Sequence, residues 1–118
     1  FIFDKDKINN KKIIIVDDSI VRGITMKYII QLLKEYNAKE IHVRVASPPL
    51  KYTCNYGVDI PTKNELIAHN KSIDEIKNIL GANTLKYLNI SYLKTKDKCT
   101  ACFNGEYNIK TTDIEDLF

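Results

Sequence analysis

Near the start of the chain, Lys12–Val16 (KIIIV) is a short apolar run rich in β-branched side chains. Such runs belong to strands buried on both faces, as in a parallel sheet. Between about Gly23 and Tyr36, Ile24, Tyr28 and Leu32 follow one another at four-residue spacing, with Ile29, Leu33 and Tyr36 beside them. That spacing predicts a helix with a broad buried face. Asn37 is a suitable stop, because asparagine tolerates the left-handed backbone of a helix C-terminus. Glu40–Ala46 (EIHVRVA) predicts a second strand, halted by Ser47-Pro48-Pro49. Strand, helix and strand in this length form a βαβ unit, so the two strands are expected to be parallel with a right-handed crossover.

The second half has a different pattern. Thr62-Lys63-Asn64-Glu65 and Ser72-Ile73-Asp74-Glu75 both have the form of a capping box. They predict short helices over Lys63–Ala68 and Ile73–Leu80, the second ended by Gly81 and carrying an apolar face of Ile73, Ile76, Ile79 and Leu80. Leu85–Leu93 is apolar, but its periodicity does not decide between a strand and an irregular segment. There is no internal repeat or low-complexity linker. The expected class is α/β: residues 1–50 supply part of a parallel-sheet core, and residues 51–118 a helical and loop segment laid against it.

Composition narrows the function classes. A chain of 118 residues makes one small domain or a piece of a larger one. With 44% hydrophobic residues, 4 Gly and 3 Pro it is a folding sequence, not a disordered one. No apolar run approaches ~20 residues, which argues against a membrane span, and Phe1–Lys7 lacks the apolar core of a signal peptide. The abrupt apolar start without methionine suggests a fragment of a longer polypeptide. The 18 Lys and Arg against 15 Asp and Glu suit a small anionic substrate, and fall short of the basic stripe of a nucleic-acid binder.

The candidate chemistry lies between the first strand and helix, in Ile13–Thr25 (IIIVDDSIVRGIT). A helix N-terminus offers unpaired N–H groups and the positive end of its dipole to an anion. Gly23 lets the backbone approach closely or take positive φ. Ser19 and Thr25 can donate hydroxyl hydrogen bonds to phosphate oxygens, and Arg22 adds positive potential. Asp17 and Asp18, at the carboxyl end of a parallel strand, stand where ligands of open α/β sheets bind. As acceptors they suit vicinal hydroxyls of a ribose, or Mg²⁺ directly or through water.

This stretch resembles the phosphoribosyl-diphosphate signature of type I phosphoribosyltransferases, and its S-I-V-R-G core resembles the glutamine phosphoribosylpyrophosphate amidotransferase branch. The resemblance continues in order through Val43–Leu50 (VRVASPPL), Cys54–Pro61 (CNYGVDIP), Glu65–Ala68 (ELIA) and Cys99–Tyr107 (CTACFNGEY). It implies the Rossmann-like, parallel-sheet fold of that family. It also implies that Asp17 and Asp18 contact the ribose hydroxyls and help bind Mg²⁺, while Ser19, Ile20, Val21, Arg22, Gly23, Ile24 and Thr25 wrap the 5-phosphate. One position departs: the family usually has two threonines after Gly23, and Ile24 has no hydroxyl to donate.

Cys54, Cys99 and Cys102 are an odd set for a disulfide framework, and an isolated C-x-x-C serves zinc, redox and iron–sulfur sites alike. A tetrahedral metal centre or cluster needs four ligands. In the iron–sulfur branch of the resembled family, the matching cysteines hold a [4Fe-4S] cluster, which implies a fourth ligand before residue 1 and a structural clamp on the C-terminal segment. His42, alternating with Ile41 and Val43, is expected on the less buried strand face. His69 is placed to serve the end of the ELIA helix, and Tyr52 and Tyr56 read as packing residues.

The resemblance implies an enzyme that takes ammonia from glutamine in an N-terminal glutaminase domain and delivers it to C1 of phosphoribosyl diphosphate. Pyrophosphate leaves and phosphoribosylamine forms, the first step of de novo purine synthesis. It further implies a cytoplasmic homo-oligomer, purine nucleotides as feedback inhibitors, and a chain that is inactive without the rest of its polypeptide. Two alternatives stand beside it. Another type I phosphoribosyltransferase is disfavoured by the cysteines. A nucleotide-binding regulatory module could have kept the loop without catalysis.

Overall fold

The computed structural model describes residues 2–60, 62–94 and 96–107. Its elements are helix α1 (Lys5–Ile8), strand β1 (Lys12–Asp17), helix α2 (Ile24–Glu35), strand β2 (Glu40–Val45), helix α3 (Ile73–Leu80), strand β3 (Thr84–Tyr87) and helix α4 (Ala101–Asn104), with 3₁₀ turns at Lys63–Glu65 and Ile90–Tyr92. The strands form one parallel sheet in the order β1-β2-β3. Leu85–Leu93 therefore divides into a strand and a loop, and the second half of the chain supplies a strand as well as helices.

The register explains where the core lies. Ile13 pairs with Ile41, Ile15 with Val43, and Val43 with Leu85, so these side chains share one face of the sheet. Against that face pack Met26, Ile30 and Leu33 of α2 and Ile76 and Leu80 of α3. Spaced three or four residues apart, they form the inward stripe of each helix. Of the two rows the spacing suggests for α2, Ile29, Leu33 and Tyr36 pack on the core, and the row of Ile24 and Tyr28 does not. Met26 and Ile30 point inward, while Ile24 and Tyr28 remain 70% and 54% exposed. In α3 Ile76 and Leu80 are buried, whereas Ile73 and Ile79 are 44% and 41% exposed.

β1 is covered on one face, not two as its uniform apolarity suggests: Ile14 and Val16 are 67% and 73% exposed. Both long helices lie on the opposite face. Beside these residues the bare face turns polar. Arg44 Nη1 donates to Thr84 Oγ1 at 2.9 Å, and the same hydroxyl lies 2.8 Å from His42 Nδ1. On the other side of the ring, His42 Nε2 lies 3.0 Å from Glu40 Oε2. His42 is only half-buried, as its alternation with Ile41 and Val43 predicts.

Helix ends follow local chemistry. Ser72 and Glu75 form the expected capping box, and Gly81 closes α3 at φ 80°. Asn37 takes φ 60° after α2. The other expected box does not form. Thr62 makes no side-chain cap, and only the 3₁₀ turn Lys63–Glu65 is present in place of a helix to Ala68. Without that helix His69 has no helix end to serve; its N–H closes a turn on the Leu66 carbonyl at 3.1 Å. No helix among the described residues is long and apolar enough to cross a membrane.

Residue 23 is the tightest point of the fold. Gly23 has φ 77°, and a Cβ there would meet Ile67 Cδ1 at 2.5 Å and Leu80 Cδ2 at 3.2 Å. Gly23→Ala should therefore lower unfolding stability by about 2 kcal/mol or more, from left-handed strain plus overpacking. Urea unfolding measures this, and a loss under about 0.5 kcal/mol would show that the contact relaxes freely.

A second prediction concerns acid. Glu40 has its pKa lowered from the ordinary 4.5, first by the hydrogen bond from His42 and then by that from Lys12. Its contribution is complete above 4.5 and is lost as pH falls through the lowered folded value. Glu40→Gln should reduce the thermal midpoint at neutral pH, and the difference from the parent chain should close well below pH 4.5. A pH-independent difference would remove the carboxylate charge from the account.

Candidate functional site

The loop between β1 and α2 surrounds a cavity of about 450 Å³. It is lined by Asp17, by every residue from Ser19 to Thr25, and by Met26. Of the residues from Asp17 to Thr25 singled out in the sequence, all but Asp18 therefore meet around one space. Asp18, exposed beyond the strand end, donates its N–H to Asp17 Oδ1 at 2.9 Å and accepts the Ser19 hydroxyl at 3.1 Å. The two carboxylates are oriented by the chain itself, and Ser19 must turn away from Asp18 to serve a ligand.

The floor and the rim have different origins. Ile20 is buried and roots the loop in the core. Val21 accepts a hydrogen bond from the Ile67 N–H at 2.9 Å, which ties the loop to the segment after the 3₁₀ turn. Gly23 is the N-cap of α2, with no side-chain cap and no acidic residue in the first helical turn. The first N–H groups of α2 thus keep their donor capacity and the positive end of the helix dipole faces the cavity rim. Thr25 adds an exposed hydroxyl. Ile24 opens the helix with its side chain largely in solvent.

Glu65 is the residue that sequence reasoning placed wrongly. Expected to cap a helix, it instead accepts Arg22 Nε–H at 3.2 Å and the Thr62 hydroxyl at 3.1 Å. Its pKa is lowered, chiefly by the Thr62 hydrogen bond and next by Arg22. The T-x-x-E spacing signalled that the two side chains would meet; it could not signal that both would turn to the loop.

The cysteines lie on two stapled segments. The N–H groups of Lys51 and Tyr52 donate to the Cys102 carbonyl at 3.0 and 3.1 Å, and the Tyr107 hydroxyl donates to the Thr53 carbonyl at 2.7 Å. Tyr52 packs against Gly105, and Tyr56 against Tyr107, so both tyrosines pack as expected. Cys54 accepts the Tyr56 N–H at 3.3 Å. Burial raises the pKa of Cys102. All three are free thiols, and among the described residues no His, Cys, Asp or Glu group is closed tightly enough to hold a metal ion. Thiols are suitable donors for a sulfur-ligated centre, but among the described residues Cys54, Cys99 and Cys102 are not brought into one ligand set. Tyr87, at the carboxyl end of β3, has a buried hydroxyl with no partner among the described residues, and burial pushes its pKa up to about 12. It stays protonated at neutral pH.

A family model for the phosphoribosyl transferase domain matches residues 3–53. The chain is 45% identical over 112 residues to the chloroplastic amidophosphoribosyltransferase 2 of Arabidopsis thaliana, covering 90% of this chain and 20% of that protein. It is 51% identical over 107 residues to the amidophosphoribosyltransferase of Pyrococcus horikoshii, covering 87% of this chain and 24% of that one. The structure of the B. subtilis glutamine phosphoribosylpyrophosphate amidotransferase complexed with ADP and GMP superposes with a TM-score of 0.82 at 37% identity, over 90% of this chain and 26% of that one. The chain thus spans about a fifth to a quarter of the length of these relatives. Its parallel sheet and helices are those of the type I phosphoribosyltransferase fold. With that fold, the loop around the cavity and this level of identity, the chain belongs to the amidophosphoribosyltransferase family and corresponds to a section of the phosphoribosyltransferase portion of its members.

Proposed function

We propose that this chain is the ribose 5-phosphate wall of an amidophosphoribosyltransferase, which converts glutamine and phosphoribosyl diphosphate into phosphoribosylamine, pyrophosphate and glutamate. The observation that carries the reading is the cavity itself. An uncapped helix N-terminus, a positive-φ glycine, Thr25 and Asp17 all border it. A phosphate monoester fits the first three and the vicinal hydroxyls of a ribose fit Asp17. Anchored at both, the sugar cannot rotate, and C1 is held in one orientation toward an incoming ammonia. Ser19 and Arg22 complete the phosphate shell.

Asp17 and Asp18 are the residues of this chain that would hold Mg²⁺, directly or through water; the ion supplies charge neutralisation for the departing pyrophosphate. A nucleoside monophosphate carries the same 5-phosphate and ribose, so AMP or GMP can compete for this loop. The B. subtilis relative, complexed with ADP and GMP, supports nucleotide recognition in the family.

The remaining parts of the reaction lie on the rest of the polypeptide. The bare face of β1, with Ile14 and Val16 in solvent, supports that assignment, because an isolated sheet seldom leaves such side chains uncovered. We place the glutaminase domain in that remainder, expect assembly into homo-oligomers, and expect this chain alone to be inactive. A reducing compartment such as the cytoplasm suits its free thiols. Cys54, Cys99 and Cys102, joined by a fourth cysteine elsewhere in the polypeptide, would carry a [4Fe-4S] cluster that clamps residues 51–107 to the body of the enzyme.

In the full-length polypeptide, Asp17→Asn should lower kcat/KM for phosphoribosyl diphosphate about 100-fold and weaken its Mg²⁺-dependent binding. Steady-state kinetics decide this, and unchanged constants would take Asp17 out of the site. For the cluster, full-length protein purified without oxygen should contain about four iron and four acid-labile sulfide per chain. Stoichiometric zinc with no iron would overturn that assignment.

A further inference from the structure

The cation on the phosphate loop is oriented from a distant part of the chain. Arg22 lines the cavity, and the carboxylate that binds it belongs to Glu65, 43 residues downstream. Both oxygens of Glu65 are committed: Oε1 accepts from Arg22 Nε and Oε2 from the Thr62 hydroxyl. Behind this contact the Ile67 N–H holds the Val21 carbonyl, and the Ile67 side chain fills the space that a Cβ at residue 23 would need. The segment from Thr62 to Ile67 therefore braces the loop at three successive positions, Val21, Arg22 and Gly23.

The choice of nitrogen matters. A guanidinium has five N–H donors in a rigid fork, and a carboxylate bound at Nε leaves the terminal amino groups free to address a second oxyanion. We propose that Glu65 is a positioning residue for phosphate recognition: it holds Arg22 through Nε so that the terminal amino groups are presented to a phosphate monoester in the cavity. This rests on the phosphate reading of the loop given above. Thr62 orients the carboxylate in turn.

The sign of the effect separates positioning from simple electrostatics. A carboxylate near a phosphate site repels the ligand, so if Glu65 acted by charge alone its removal would tighten binding. Positioning requires the opposite. Both side chains are about half exposed, at 49% and 48%, so the pair contributes little to stability.

Calorimetric titration of the full-length polypeptide with ribose 5-phosphate tests the proposal. Glu65→Ala should weaken binding about fivefold, with a thermal midpoint within about 2 °C of the parent. Glu65→Gln keeps an acceptor for Nε–H and should bind within about twofold of the parent. In an Arg22→Ala background, Glu65→Ala should cost nothing further, since its effect passes through the guanidinium. Tighter or unchanged binding by Glu65→Ala, or an equal loss when Arg22 is already alanine, would overturn the positioning role and leave the phosphate reading standing. Failure of the unsubstituted full-length polypeptide to bind ribose 5-phosphate would overturn both.

Discussion

Nothing larger than hydrogen fits at residue 23. The left-handed turn there brings the loop between β1 and α2 down onto Ile67 and Leu80, so the loop is shaped by the second half of the chain as much as by the strand and helix that flank it. From this contact the rest follows. The uncapped N-terminus of α2 is directed at the cavity, Val21 is within reach of the Ile67 N–H, and Arg22 is within reach of Glu65. A loop held only at its two ends would sample many backbone states and would lose more conformational entropy on binding an anion. One braced at Val21, Arg22 and Gly23 has that ordering built into the folded chain.

The first half was readable in the residues because its signals are local. A β-branched run, a glycine before the helix, an asparagine after it and a proline pair after the second strand each act within a few positions. What escaped was the direction in which each element faces. α2 is apolar around most of its circumference, so spacing alone could not choose between the stripe of Ile24 and Tyr28 and that of Met26 and Ile30. The choice was made by the sheet and α3. The uniform apolarity of β1 likewise suggested two covered faces, and the described residues cover one.

The second half was harder because its decisive contacts are long-range. Ser72 and Glu75 capped a helix as their spacing suggests, since Ile76 and Leu80 give that helix a buried face to hold it in place. Thr62 and Glu65 carry the same spacing. Leu66, Ile67 and Ala68, however, are buried one after another, a run that no helix face can bury. Leu66 therefore takes an extended backbone and the chain turns again at residues 67–70, which leaves the glutamate to bind Arg22. One pattern gave two outcomes, and the burial of the following three residues separates them.

Ile24 can now be placed as well. It is the first residue of α2 and borders the cavity, and its side chain stands largely in solvent. The departure from threonine removes a hydroxyl but leaves the dipole, the neighbouring N–H groups and Thr25 as they were. Phosphate recognition at such a terminus is distributed over several backbone donors, so the loss of one side-chain donor is a graded change. Arg22 is different, because its reach depends on a long side chain with several rotatable bonds. Where the backbone supplies most of the contacts, the position most sensitive to its surroundings is the one that must be held from outside the loop.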